Sequence, residues 1–161
     1  MQTGNTHTAS VNAGVLVVDD DLDIREVFRE FLLSKGYPVR VVPHGRAAIA
    51  ALGEALPAAI VTDLDMPEMD GWELLLALNS DSRLSRIPVA VMTAEERFPE
   101  GYLVLRKPFP PEALLDFLQR AQAGARAGQR DPGSSGEPVD VDDGLCERRR
   151  RFLRNVVADS L

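Results

Sequence analysis

The chain has 161 residues, 45% hydrophobic and 27% charged, enough for one ordinary domain with a buried core plus a tail. Its net charge of −7 speaks against nucleic acid as the main partner, because phosphate binding needs a basic face. Cys146 is the single cysteine, which excludes an intrachain disulfide. Residues 1–14 lack the apolar core of a signal peptide, and no run approaches the ~18 apolar residues of a membrane span. The expectation is a cytoplasmic protein with no membrane contact.

Residues 1–12 show no period and few apolar groups, and read as a disordered leader. Val15, Leu16, Val17 and Val18 form a short apolar run that ends in Asp19-Asp20-Asp21, a buried strand followed by carboxylates. A helix over 23–35 follows, with Ile24, Val27, Phe28, Phe31 and Leu32 on one stripe and Gly36 as its stop. Residues 39–42 read as a strand, Pro43-His44-Gly45 as a turn that leaves His44 in solvent, and 47–52 as a short helix of small residues. The apolar run 58–62 predicts a third strand, cut short by Asp63 and by the turn signals Pro67 and Asp70-Gly71. A helix over 72–79, a strand over 87–92 ended by Thr93, a strand over 102–105 followed by Lys107-Pro108-Phe109, and a helix from Pro110 or Pro111 to about 123 complete the alternation. Strands alternating with helices predict five parallel strands wrapped on both faces. The composition then shifts to a Gly/Pro/Ser/Asp-rich linker over 124–144. Residues 145–161 could form one more helix, with Phe152, Leu153, Val156 and Val157 on one side and Arg148 to Arg151 behind them. Such an apolar cluster calls for a partner surface or a second copy of the domain, giving a homodimer.

Alone, Asp63 reads as a turn cap. In the predicted sheet, however, Asp19-Asp20, Asp63, Thr93 and Lys107 all stand at the carboxyl ends of parallel strands, where open α/β sheets carry their ligand crevices. Three carboxylates a few ångströms apart repel by roughly 1–4 kcal/mol per pair, and Lys107 offsets one charge only. A hard divalent ion, Mg²⁺ or Mn²⁺, held by Asp19, Asp20 and Asp63 balances the sum. Asp63 could then attack phosphorus as a carboxylate nucleophile, while Lys107 and the Thr93 hydroxyl stabilise the transferring phosphoryl group.

The segments V-L-V-V-D-D-D, I-V-T-D-L-D-M-P-E-M-D-G, V-A-V-M-T-A and K-P-F resemble, in order, the acidic pair, phosphoacceptor loop, switch hydroxyl and lysine of response regulator receiver domains. The resemblance spans the predicted domain at 13–123. It implies a flavodoxin-like (βα)5 fold with strand order 2-1-3-4-5. It also implies Mg²⁺-dependent transfer of a phosphoryl group to Asp63 from a sensor histidine kinase or a phosphotransfer protein, with signalling through contacts to a downstream protein. By the same analogy the backbone carbonyl of Asp65 helps hold the metal, Lys107 pairs with the phosphoryl group, and Thr93 moves toward it.

The chain departs from that pattern twice. Val104, not an aromatic residue, stands three positions before Lys107, and Tyr102 is out of alternation for that role. Only residues 94–101 connect the fourth strand to the fifth, too few for a crossover with its helix, so the fourth helix must be missing or cut to about one turn. Phosphorylation is then expected to act on that loop. Two other readings use the same residues: a receiver-fold binding module that works without phosphate, and a haloacid-dehalogenase-like phosphatase built on Asp63-Leu64-Asp65, whose acidic pair would however come downstream rather than first.

Overall fold

The structure, a computed structural model, describes residues 14–127. The leader 1–12, the linker beyond residue 127, His7 and the helix expected at 145–161 lie outside the described residues. Five strands, β1 (Val15–Val18), β2 (Val39–Val42), β3 (Ala59–Asp63), β4 (Val89–Thr93) and β5 (Leu103–Arg106), alternate with four helices, α1 (Leu22–Ser34), α2 (Gly45–Glu54), α3 (Gly71–Ser80) and α4 (Pro111–Ala127). All neighbouring strands are parallel and lie in the order β2-β1-β3-β4-β5. This is the expected flavodoxin-like arrangement, with the helix between β4 and β5 missing.

Strand alternation divides the core into two layers. Leu16, Val18, Ile60 and Val91 point to the side covered by α2 and α3, where Leu52, Leu74, Leu75 and Leu78 close the packing. Val15, Val17, Val61, Met92 and Leu105 point to the other side, against Leu32 of α1 and Leu114, Phe117 and Leu118 of α4. Each such side chain contributes about 1.5–3 kcal/mol by leaving water. Because both faces of β1, β3 and β4 are buried, their register is tightly fixed, and so is the position of whatever follows each strand.

Several boundaries differ from the sequence reading, each for a local reason. Asp21 caps α1, its side chain accepting from the Asp23 and Ile24 amides, so that helix starts earlier. Within α1, Val27 is 64% exposed. At ~100° per residue it lies at the edge of the stripe centred near Phe28 and Phe31, so it does not join the core as expected. His44 does not lie free in a solvated turn. Its Nδ1 accepts from the Ala47 amide, which starts α2 two residues before the expected 47. Its Nε2 lies 3.2 Å from Glu68 Oε2. β4 begins only at Val89 because Ile87 closes a 3-10 turn onto Leu84 and Pro88 has no amide to give. α4 continues to Ala127, past the expected end at 123.

The connection over residues 94–102 carries no helix but is tied at several points. Pro99 is buried, the Arg97 guanidinium lies over the Trp72 ring at 5.6 Å, and that of Arg106 lies over Phe98 at 5.3 Å. Tyr102 packs with the α2 and α3 side of the core, and its hydroxyl accepts from Asn79 Nδ2 at 2.6 Å.

Candidate functional site

The sheet delivers four groups to one cleft of about 360 Å³ at its carboxyl edge, lined among others by Asp19, Asp20, Asp63, Asp65, Thr93, Glu95 and Lys107. β1 places Asp19 in the interior, at 1% exposure, and leaves Asp20 exposed. The loop is fixed by one backbone bond and two that use side chains. Asp19 N–H donates to Val42 O, Asp19 Oδ1 accepts from the Asp21 amide at 2.9 Å, and Arg25 Nη1 donates to Asp19 O at 2.7 Å.

β3 ends on Asp63, whose Oδ1 accepts from the Leu64 amide at 2.6 Å and the Asp65 amide at 3.2 Å. The loop then folds back sharply: Gly71 N–H donates to Leu64 O, and a Cβ on Gly71 would lie only 2.2 Å from Asp63 O. Only glycine tolerates that approach. Glu68 takes a left-handed φ of 65° in the same loop, unusual for a residue with a side chain. The Gly45 amide donating to Met69 O and the His44–Glu68 contact tie it to the start of α2. Beyond the loop, Asp70 and Glu73 form a reciprocal capping box that starts α3.

β4 presents Thr93, 2% exposed, with Oγ1 accepting from the Glu95 amide at 3.0 Å. β5 hands on to Lys107, whose amide donates to Thr93 O. Lys107 Nζ reaches across to Asp63 Oδ2 at 2.9 Å and Asp19 Oδ2 at 3.2 Å. One cation is therefore shared by two carboxylates. Burial pushes the Asp19 carboxyl above its ordinary range, with the nearby Asp63 charge acting the same way, against the Asp21 amide and Lys107, which pull it down. Burial alone would lower the Lys107 ammonium, but its bonds and charge interactions with Asp63 and Asp19 outweigh this and raise it.

All the expected side chains thus lie at one edge, with Asp65 exposed on the rim. Carboxylate oxygens of Asp19, Asp20 and Asp63 lie within 4.8 Å of one another. Three hard oxygen donors facing one ammonium suit a hard divalent cation such as Mg²⁺. Asp20, which Lys107 does not contact among the described bonds, is the carboxylate most open to it. Sequence reasoning passed over Arg25, which props the Asp19 carbonyl, and Glu95, which bonds Thr93. Arg25 sits half-buried outside the apolar stripe of α1 and Glu95 in a loop, and neither position carries a pattern. A second groove, about 210 Å³ at the opposite edge near Pro38, Leu56 and Pro57, is mainly apolar and holds none of these groups.

Among solved structures, the chemotaxis response regulator CheY4 of Vibrio cholerae is 36% identical, with a TM-score of 0.61 over 68% of this chain and 98% of that one. The receiver domain of a sensor histidine kinase from Pseudomonas aeruginosa, solved with a magnesium ion coordinated in its active site cleft, is 26% identical, with a TM-score of 0.64 over 70% of this chain and 98% of that one. Among curated proteins, an uncharacterized 14.6 kDa protein of Leptolyngbya boryana is 34% identical over 114 residues, 66% of this chain and 87% of that protein. Response regulator Rre1 of Synechocystis is 34% identical over 128 residues, 71% of this chain but 55% of that protein, so the chain spans little more than half of this longer relative. The family model for the response regulator receiver domain matches residues 15–119. With strand order, cleft and relatives in agreement, the chain belongs to the response regulator receiver domains, the phosphorylation-based modules of two-component signalling.

Proposed function

We propose that the chain is a receiver that accepts a phosphoryl group on Asp63 from the phosphohistidine of a sensor histidine kinase or phosphotransfer protein. The observation that carries this reading is the bridging of Asp63 Oδ2 and Asp19 Oδ2 by Lys107 beside three clustered carboxylates. Oδ1 of Asp63 is held by two amides, whereas Oδ2 has Lys107 as its described partner. Oδ2 is therefore the attacking oxygen. It forms the new O–P bond as the donor's N–P bond breaks, and the electron pair leaves with the imidazole nitrogen, which takes a proton from water. Lys107 has three N–H groups and follows the negative charge from Oδ2 to a phosphoryl oxygen. The buried Thr93 hydroxyl turns to donate to another. Asp19, Asp20 and Asp63, with the Asp65 carbonyl, would hold Mg²⁺ or Mn²⁺. The ion supplies neutralising charge for the incoming phosphoryl group, as the magnesium in the Pseudomonas relative's cleft suggests.

The product is an acyl phosphate and not a released small molecule, so the chain acts by being modified and by presenting an altered surface to a downstream protein. The cytoplasm is the compartment that fits a kinase partner; no helix among the described residues is long and apolar enough to cross a membrane. The test is incubation of the full chain with Mg²⁺ and acetyl phosphate or candidate phosphorylated kinases. Intact mass should show one base-labile phosphoryl group in the wild type and none in Asp63→Asn. Equal labelling of that variant overturns the assignment.

A further inference from the structure

Resting on that reading, one set of contacts connects the switch hydroxyl to the surface by a route the fifth strand's Val104 cannot provide. Glu95 is held at both ends. Its amide donates to Thr93 Oγ1 at 3.0 Å, and its carbonyl accepts from Arg106 Nη1. Arg106 stands opposite Thr93 in the β4–β5 register and immediately before Lys107. Its guanidinium lies over the ring of Phe98, 41% exposed, at 5.3 Å. The same loop is anchored by buried Pro99 and, on its other side, by Arg97 over Trp72.

We propose that Arg106 and Phe98 are positioning residues, a latch that acts through Glu95 to hold the Thr93 hydroxyl in its resting place and so sets how readily the site closes on a phosphoryl group. The Thr93 hydroxyl can accept from Glu95 and donate at once, but any movement of Oγ1 toward a phosphoryl oxygen breaks the Glu95 bond or carries Glu95 with it. The second course pulls the Glu95 carbonyl on Arg106, and Arg106 cannot follow without sliding off the Phe98 ring. The aromatic that reports the state of Thr93 is thus carried by the crossover loop and not by β5. Loss of the latch lowers the cost of closure. Arg106→Lys keeps the charge but loses the flat fork that covers a ring and reaches a carbonyl together; Phe98→Leu keeps an apolar side chain but removes the π face.

The experiment measures the affinity of full-length chain plus Mg²⁺ for beryllofluoride, a phosphoryl mimic, by the ¹⁹F signal of the bound species. An exposed cation–π contact corresponds to about a two- to fivefold change in an equilibrium constant. Each single variant should therefore bind beryllofluoride about two- to fivefold tighter than wild type. The double variant should gain no more than the better single one, since the two residues form one latch. A purely structural role would lower the urea midpoint and leave the affinity where it was. Unchanged affinity in Phe98→Leu, with wild type binding normally, overturns the latch while leaving Asp63 as acceptor. Independent, additive gains overturn it as well. Absence of any bound signal in wild type counts instead against the phosphoacceptor site on which the latch depends.

Discussion

The shared lysine makes the acidic pocket a set of competing charges, and its titration can be given a sign. The Asp19 carboxyl is raised above its ordinary value of 3.8, so the folded domain binds that proton more tightly than the unfolded chain. Its contribution to stability is therefore greatest at low pH and is lost as pH rises from 3.8 through the raised folded value. Asp19→Asn should remove this slope from the stability of metal-free protein, measured by urea denaturation across pH 3–7. Lys107, raised above 10.5, contributes stability that is full below 10.5 and fades as pH climbs through its folded value. Replacing it with methionine leaves Asp19 and Asp63 facing each other and should cost about 1–3 kcal/mol. Asp20, exposed and outside the lysine's bonds, should behave differently. Asp20→Asn is expected to weaken Mg²⁺ binding about tenfold while leaving the urea midpoint unchanged or slightly higher, because a repulsion disappears. Calorimetric titration of both proteins checks it; equal Mg²⁺ affinities would remove Asp20 from the site. These residues were legible because each closes an apolar run of recognisable length. Arg25 and His44 were not, since an arginine reaching a carbonyl and a histidine acting as an N-cap follow no sequence period.

Among the elements, the β3–α3 turn is the most demanding. Its shape depends on Gly71 approaching the Asp63 carbonyl and on Glu68 in left-handed backbone. Gly71→Ala should destabilise the domain by about 1–3 kcal/mol through overpacking. It should also slow the phosphorylation proposed for Asp63, because relief of the clash moves that residue's own backbone. A stable variant with unchanged labelling would show that the turn can give way elsewhere. Glu68→Gly, by contrast, should be neutral or slightly stabilising where left-handed φ is the main cost. The sequence announced this turn through Pro67 and Asp70-Gly71 and announced the missing crossover helix through simple shortage of residues. It did not announce what holds the crossover instead. Arg97 with Trp72 and Arg106 with Phe98 are contacts between long side chains on separate segments, which composition and spacing leave undetermined. Val27 fell outside the core for a related reason: a stripe wide enough to list five residues is wider than the sheet surface that receives it.

For the whole molecule, the alternation of apolar runs and amphipathic segments was sufficient to give a parallel sheet, because a parallel strand pair requires a crossover and a crossover requires a covered face. The strand order came from resemblance, not from periodicity. The apolar residues that α4 contributes to the core, Leu114, Phe117 and Leu118, all lie well before its last described turn. A chain truncated after residue 127 keeps every one of these core residues, so the difference between its urea midpoint and that of the full chain measures what residues 128–161 add. The bridge from Lys107 to Asp19 spans 88 positions of sequence, and that to Asp63 spans 44. The pocket thus exists only after the edge strand β5 has docked beside β4 and β1 has paired with β3, and these pairings close long loops of chain. If those pairings form after the folding transition state, a metal ion bound in the pocket stabilises the finished domain alone. Mg²⁺ should accordingly slow unfolding and leave the refolding rate nearly unchanged in a chevron analysis. A nascent or misfolded copy, lacking the assembled pocket, would give no response to a phosphoryl donor however accessible its aspartates are.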